Sequence, residues 1–193
     1  MRMTFRRSSK LAAISAVQLI FMAVAAAQPP VNPQADQMAQ FSKRVSSYLS
    51  LQRKVESALP SQKETSDPDK IKVNISSLAN GVRAERSNAR AGDVFGGAAE
   101  QFRQIIKQDA GNRSLRDALA SMQEVPKKNA PKVNDDYPEN AALATVPALI
   151  LNRLQRLPDG IEYRFMGRDL ILRDTKANLI VDVLHEAVPT VGR

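Results

Sequence analysis

The chemically densest stretch of this chain is EYRFMGRDLILRDTKANLIVDVL, residues 162 to 184, in which acids and arginines alternate with strand-forming residues. Carboxylates beside guanidinium groups are what general acid and base catalysis, or the binding of a charged ligand, would need. Their spacing argues for the plainer outcome. Asp169 and Asp174 are an odd number of residues apart on one strand, so they point to opposite faces, roughly 17 Å apart at strand rise. A glycosidase needs its two carboxyl groups within about 10 Å of each other. The stretch therefore reads as a charge-paired, solvated sheet face. Glu162 is expected opposite Arg173, and Arg164 beside Asp182, with Arg164, Arg173 and Asp182 as candidate binding residues.

Other chemistry is sparse. His185 is the only histidine and cysteine is absent, so there is no histidine or thiolate cluster for a metal, no thiol nucleophile and no disulfide. No GxSxG elbow, phosphate-binding glycine loop or HExxH pair occurs. Gly92, Gly96 and Gly97 are too widely spaced to cradle a phosphate and read as helix breakers. Neither a catalytic residue nor a metal ligand is assigned, and no cofactor is implied. Arg83, Arg86 and Arg90 fall at three- and four-residue steps, which on a helix makes a basic stripe. Such a stripe suits an acidic envelope protein or an anionic envelope polymer as partner.

The elements that would position these residues are legible from periodicity. Met38, Phe41, Val45, Tyr48, Val55 and Leu59 repeat at helical steps, with Gln52 in the remaining slot, and predict a helix from about 36 to 59 stopped by Pro60. Ser66-Asp67-Pro68 is a start signal for a second helix, lined by Ile71, Ile75, Leu78 and Val82 and running to about 91. Shorter helices are expected around Phe102 and Ile106, and around Leu115 to Met122. Residues 126–140, with three prolines, read as a linker. Beyond it a short helix carries Ile150, Leu154 and Leu157. Gly167-Arg168 then fits a two-residue hairpin loop of type II′. That loop pairs Met166 with Asp169, Phe165 with Leu170, Arg164 with Ile171, Tyr163 with Leu172 and Glu162 with Arg173. A third strand is expected to put Leu179, Val181 and Val183 on the apolar side and to turn Asp182 toward the arginines.

Residues 1–27 follow a different logic. Arg2, Arg6, Arg7 and Lys10 precede an apolar run from Leu11 that ends in Ala25-Ala26-Ala27, the pattern of a cleaved secretory signal. The chain is +8 over 193 residues; losing four cations and no acid leaves +4 on 166 residues. That excess is too mild for a nucleic-acid footprint. After cleavage no transmembrane span is expected, and the protein is placed in the periplasm or outside the cell.

The segment from Asn134-Asp135-Asp136-Tyr137-Pro138 through Leu157-Pro158 to EYRFMGRDLILRDTKANLIVD resembles the closing segment of a group of uncharacterised exported bacterial proteins. It covers about the last third of the chain and implies an envelope location but no activity. The pattern Tyr163-Arg164, Gly167, Leu170-Ile171, Asp174, Leu179-Ile180 is also similar to the end of a periplasmic nickel and cobalt homeostasis family. The expectation is thus an α+β protein: signal 1–27, flexible lead-in 28–35, helical bundle-like region 36–125, linker 126–140, helix plus three-stranded β-meander 141–185, and tail 186–193. Its expected role is that of an exported, non-enzymatic accessory or binding protein of the bacterial envelope, with periplasmic ligand or metal sensing as the alternative.

Overall fold

The computed structural model describes residues 32–60, 66–109, 130–138 and 146–190. The expected signal, residues 28–31 of the lead-in and the helix around Leu115 to Met122 lie outside the described residues. The fold is α+β, with helices preceding a helical turn and a three-stranded antiparallel sheet.

Helix α1 spans Pro33–Ala58. It starts three residues earlier than periodicity suggests because Asn32 caps it: the side chain accepts from the Gln34 N–H, and Pro33 occupies the first turn, where it needs no N–H partner. The tail of the expected lead-in is therefore helical. Its buried face is Phe41, Val45, Tyr48, Gln52 and Val55. Helix α2, Pro68–Glu85, opens on Asp67 as its cap, as its sequence foretells. It stops about six residues short of the expected end. The Arg86 carbonyl is taken by the Asn134 side chain and by the Ala89 N–H. Ser87 and Asn88, both poor helix formers, follow. Arg83 is thus helical, Arg86 is the cap, and Arg90 lies beyond, so the three do not form one helical stripe.

The two long helices cross closely at Gly81. A Cβ built there would lie 2.4 Å from Val55 Cγ1, and valine in a helix has one favoured rotamer and little room to yield. Gly81→Ala is expected to destabilise by about 1–3 kcal/mol, outweighing the ~1 kcal/mol that alanine gains in helix propensity. Thermal melts of the single variant and of Gly81→Ala with Val55→Ala check this. The alanine at 81 should be neutral or stabilising once Val55 is trimmed, and a loss that persists would remove the crossing as its cause.

A glycine-flanked turn at 91–95 and a short 3-10 turn, Gly96–Ala98, lead into α3, Ala99–Asp109. Helix α4 is a single turn, Ala148–Leu151. The sheet follows as β1 (Ile161–Met166), β2 (Asp169–Asp174) and β3 (Leu179–Leu184), in that spatial order. The β1–β2 register is the expected one at every pair, with Gly167 at φ +61 in the loop. The β2–β3 pair departs from expectation. Leu172 faces Asp182 and Arg173 faces Ile180, so the ladder bulges at Val181. Strand parity flips across the bulge. Leu179 and Val181 stay in the main core, but Val183 moves to the opposite face and Asp182 turns away from the arginines.

The main core lies between the helices and one face of the sheet. Phe41, Phe95 and Phe102 meet with ring centroids 4.9–5.7 Å apart, and Phe102 also lies 5.8 Å from Tyr163 of β1. On the other face Ile171, Ile180 and Val183 are buried with Tyr137. Tyr137 belongs to the stretch read as a linker. Over its described part that stretch pairs with β3: Asn134 donates to Ile180 O at 2.9 Å, Ile180 to Asp135 O at 2.9 Å, and Tyr137 to Asn178 O at 2.8 Å. Helices and meander consequently share one packed unit.

Candidate functional site

Each sequence-highlighted residue can now be placed. Asp182 is fully buried on β3, and its carboxylate faces the 91–95 turn. Oδ1 accepts from the N–H groups of Gly92 (2.7 Å) and Val183 (2.8 Å); Oδ2 accepts from Val94 and Phe95, both at 2.8 Å. Gly92 at φ +89 lets successive N–H groups converge. Burial pushes the Asp182 carboxyl up, and N–H donation from Phe95, Gly92, Val183 and Val94 opposes that. The glycine turn does what phosphate-binding loops do, with the anion supplied by the chain itself. The expected Arg164–Asp182 pair does not form, because the bulge puts the two on opposite faces.

Asp174 is the second buried carboxylate. Tyr48 Oη and Gln52 Nε2 of α1 donate to Oδ2 at 2.7 and 2.6 Å, while the Lys176 and Ala177 N–H groups donate to Oδ1. Burial, then the Asp174 charge and hydrogen bond, raise the Tyr48 hydroxyl pKa far above the usual tyrosine range, so it serves as a donor. The polar slot that Gln52 occupies in an otherwise apolar stripe was the one sequence signal of this clamp.

Arg83 and Arg86 are turned into the fold. Arg83 donates through Nε to Asn134 O at 2.8 Å and ion-pairs with Asp136. Arg86 donates to Val181 O at 3.0 Å and to the Asn134 side chain, and its guanidinium lies 4.9 Å from the Tyr48 ring centre. Burial lowers the Arg86 pKa from the ordinary arginine value, against the attraction of Asp182 and Asp93. Together the two arginines fasten α2 to β3 and the 134–136 stretch. Arg90 is exposed, with its backbone N–H on Asp93.

Arg164 and Arg173 converge on Glu162, at 2.9 and 3.0 Å, the second being the expected cross-strand pair. Arg173 also stacks 4.1 Å over Tyr137 and reaches Asn178. Burial raises the Glu162 pKa, but the hydrogen bonds and charges of Arg164 and Arg173 prevail and hold it below its ordinary 4.5. A depressed carboxyl stabilises the fold above its unfolded pKa and loses that contribution as pH falls through the folded one. The melting-temperature gap between wild type and Glu162→Gln is therefore expected to be widest near neutral pH and to close below 4.5. A gap independent of pH would sink the assignment. At the far end of the sheet His185 Nδ1 lies 3.5 Å from buried Asp169. Among the described residues no group of three or more His, Cys, Asp or Glu is placed to hold a metal ion.

One open feature adjoins these contacts. A cleft of about 460 Å³ runs along β1 from Ile161 to Arg164, walled opposite by Val146, by Leu151 and Asn152, and by Leu154 to Leu157. It was missed from sequence because its two walls meet only through the turn at 158–160. Fold and contacts together define a class: an α+β protein whose antiparallel sheet is backed by helices on one face and whose buried carboxylates are capped internally. Comparison with known proteins takes that class no further, since no protein-family model, curated protein or solved structure matches the chain.

Proposed function

We propose that this chain is a non-catalytic accessory or binding protein of the bacterial cell envelope, and that it binds through the cleft beside β1. The observation that carries the reading is the contrast between that cleft and the buried polar groups. Asp174 and Asp182 have both oxygens filled by donors of the chain itself, and Arg83 and Arg86 hold α2 in place. The cleft is of the size that small-molecule sites have, roughly 300–1,000 Å³. The basic, apolar, small-residue order of residues 1–27 supports the envelope location. Among the described residues no helix is long and apolar enough to cross a membrane.

The test is fractionation of producing cells, followed by native mass spectrometry of the chain purified from the envelope without denaturant. A small molecule that stays bound, is released unaltered on unfolding and is lost when the cleft is altered supports the reading. A cytoplasmic chain, or one that carries nothing and gains nothing from an envelope extract, overturns it.

A further inference from the structure

We infer that the cleft beside β1 takes an amphipathic anion, an apolar chain ending in a carboxylate or a phosphate, with Arg156 holding the charged head. This deepens the reading of the chain as a binding protein and rests on it. The walls supply the apolar half: Val146, Leu151, Leu154, Leu157 and Ile161 all border the cleft. Leu154 and Ile161 are buried from behind, whereas Leu151 is 46% exposed and forms the rim. An apolar body laid in the cleft covers the exposed rim at Leu151 and the half-buried Leu157, at about 25 cal/mol per Å² of surface removed from water, over a floor that Leu154 and Ile161 already make apolar.

The polar half follows by asking which lining groups are already committed. The Glu162 carboxylate accepts from both Arg164 and Arg173, so a cationic ligand finds no open acid there. The Arg164 guanidinium is turned onto Glu162 through two of its nitrogens. The Tyr163 hydroxyl donates to the Gln155 carbonyl at 2.9 Å. Arg156 differs: it borders the cleft, is exposed, and has no carboxylate within ion-pair distance among the described residues. Asn152 and Gln155 line the same wall. Among the described residues three charged side chains line the cleft, two basic and one acidic, and the acid is neutralised within the fold. The uncompensated charge that remains is positive, in a slot otherwise lined largely by apolar residues. A guanidinium fork suits a carboxylate or a phosphate equally well.

Calorimetric titration of the full chain with decanoate, decyl phosphate, decanol and decylamine, each below its micellar concentration, tests this. The two anions are expected to bind, decylamine at least tenfold more weakly, and the tighter anion identifies the head. Arg156→Glu should weaken the anions by tenfold or more, about 1.4 kcal/mol. Arg53→Glu, the same charge change on the exposed face of α1, should leave them within twofold. Equal binding of all four heads, or anion binding untouched by Arg156→Glu, overturns the inference. If none of the four binds while native mass spectrometry finds another small molecule retained in the cleft, the inference fails and the binding-protein reading survives; if neither is seen, both fail.

Discussion

Asp182→Asn is expected to lower the unfolding free energy by about 2–5 kcal/mol, although it changes neither the volume nor the shape of the side chain. Two N–H groups converge on each carboxylate oxygen. An amide keeps one oxygen and replaces the other with a donor, so two buried N–H groups lose their acceptor and face an NH₂ instead. An unsatisfied buried donor costs about 1–3 kcal/mol, and set against a typical total of 5–15 kcal/mol that is a large fraction. Urea unfolding measures the loss, and amide exchange should quicken at Val94 and Phe95. Asp93→Asn, on an exposed neighbour that among the described residues accepts from the Arg90 N–H alone, should cost under about 1 kcal/mol. If the two variants prove equally mild, the carboxylate does not hold the turn.

The second large effect is Phe102→Ala, at about 3–5 kcal/mol. Phe102 is 0% exposed and is the ring at which three parts of the fold meet: α1 through Phe41, the 91–95 turn through Phe95, and β1 through Tyr163. Truncation leaves a cavity that no single element can close, because each wall is fixed by its own attachments. Phe102→Leu keeps most of the volume and should cost under about 1.5 kcal/mol plus whatever the edge-to-face contacts contribute. Thermal and urea unfolding of both variants distinguish packing from ring geometry. An alanine variant as stable as the leucine one would show that the site collapses around the loss.

These two residues also mark where sequence reading succeeded and where it stopped. Phe102 was legible as core because its neighbours repeat at helical steps. The β1–β2 pairing was legible to the residue, since a two-residue loop with glycine at its first position fixes the register of everything behind it. Asp182 was not. Leu179, Ile180 and Val181 are all apolar, so nothing in their order tells which face each one takes, and a single bulge reverses the answer for the residues that follow. The early start of α1 had a signal, Asn32-Pro33, that periodicity alone overlooks. The early end of α2 had almost none, because it depends on Asn134, 48 residues away along the chain. Polar residues that join distant segments leave no period to detect. The cleft belongs to the same category, being formed by the meeting of two walls and not by a motif.

The clamp on Asp174 has a consequence for the order in which the chain can fold. Tyr48 and Gln52 find their acceptor 126 and 122 residues downstream. The two β-hairpins close over a few residues each, so they can form early, whereas Tyr48 and Gln52 of α1 have no acceptor until the turn after β2 exists, even though α1 already meets α2 and the 91–95 turn. Contacts of such sequence separation pay their loop-closure entropy before they return anything, and they slow folding. A chain emerging from its amino end holds Tyr48 and Gln52 without their acceptor until nearly the whole sequence has been made. The Asp174 clamp is therefore among the last contacts that a chain made from its amino end can close.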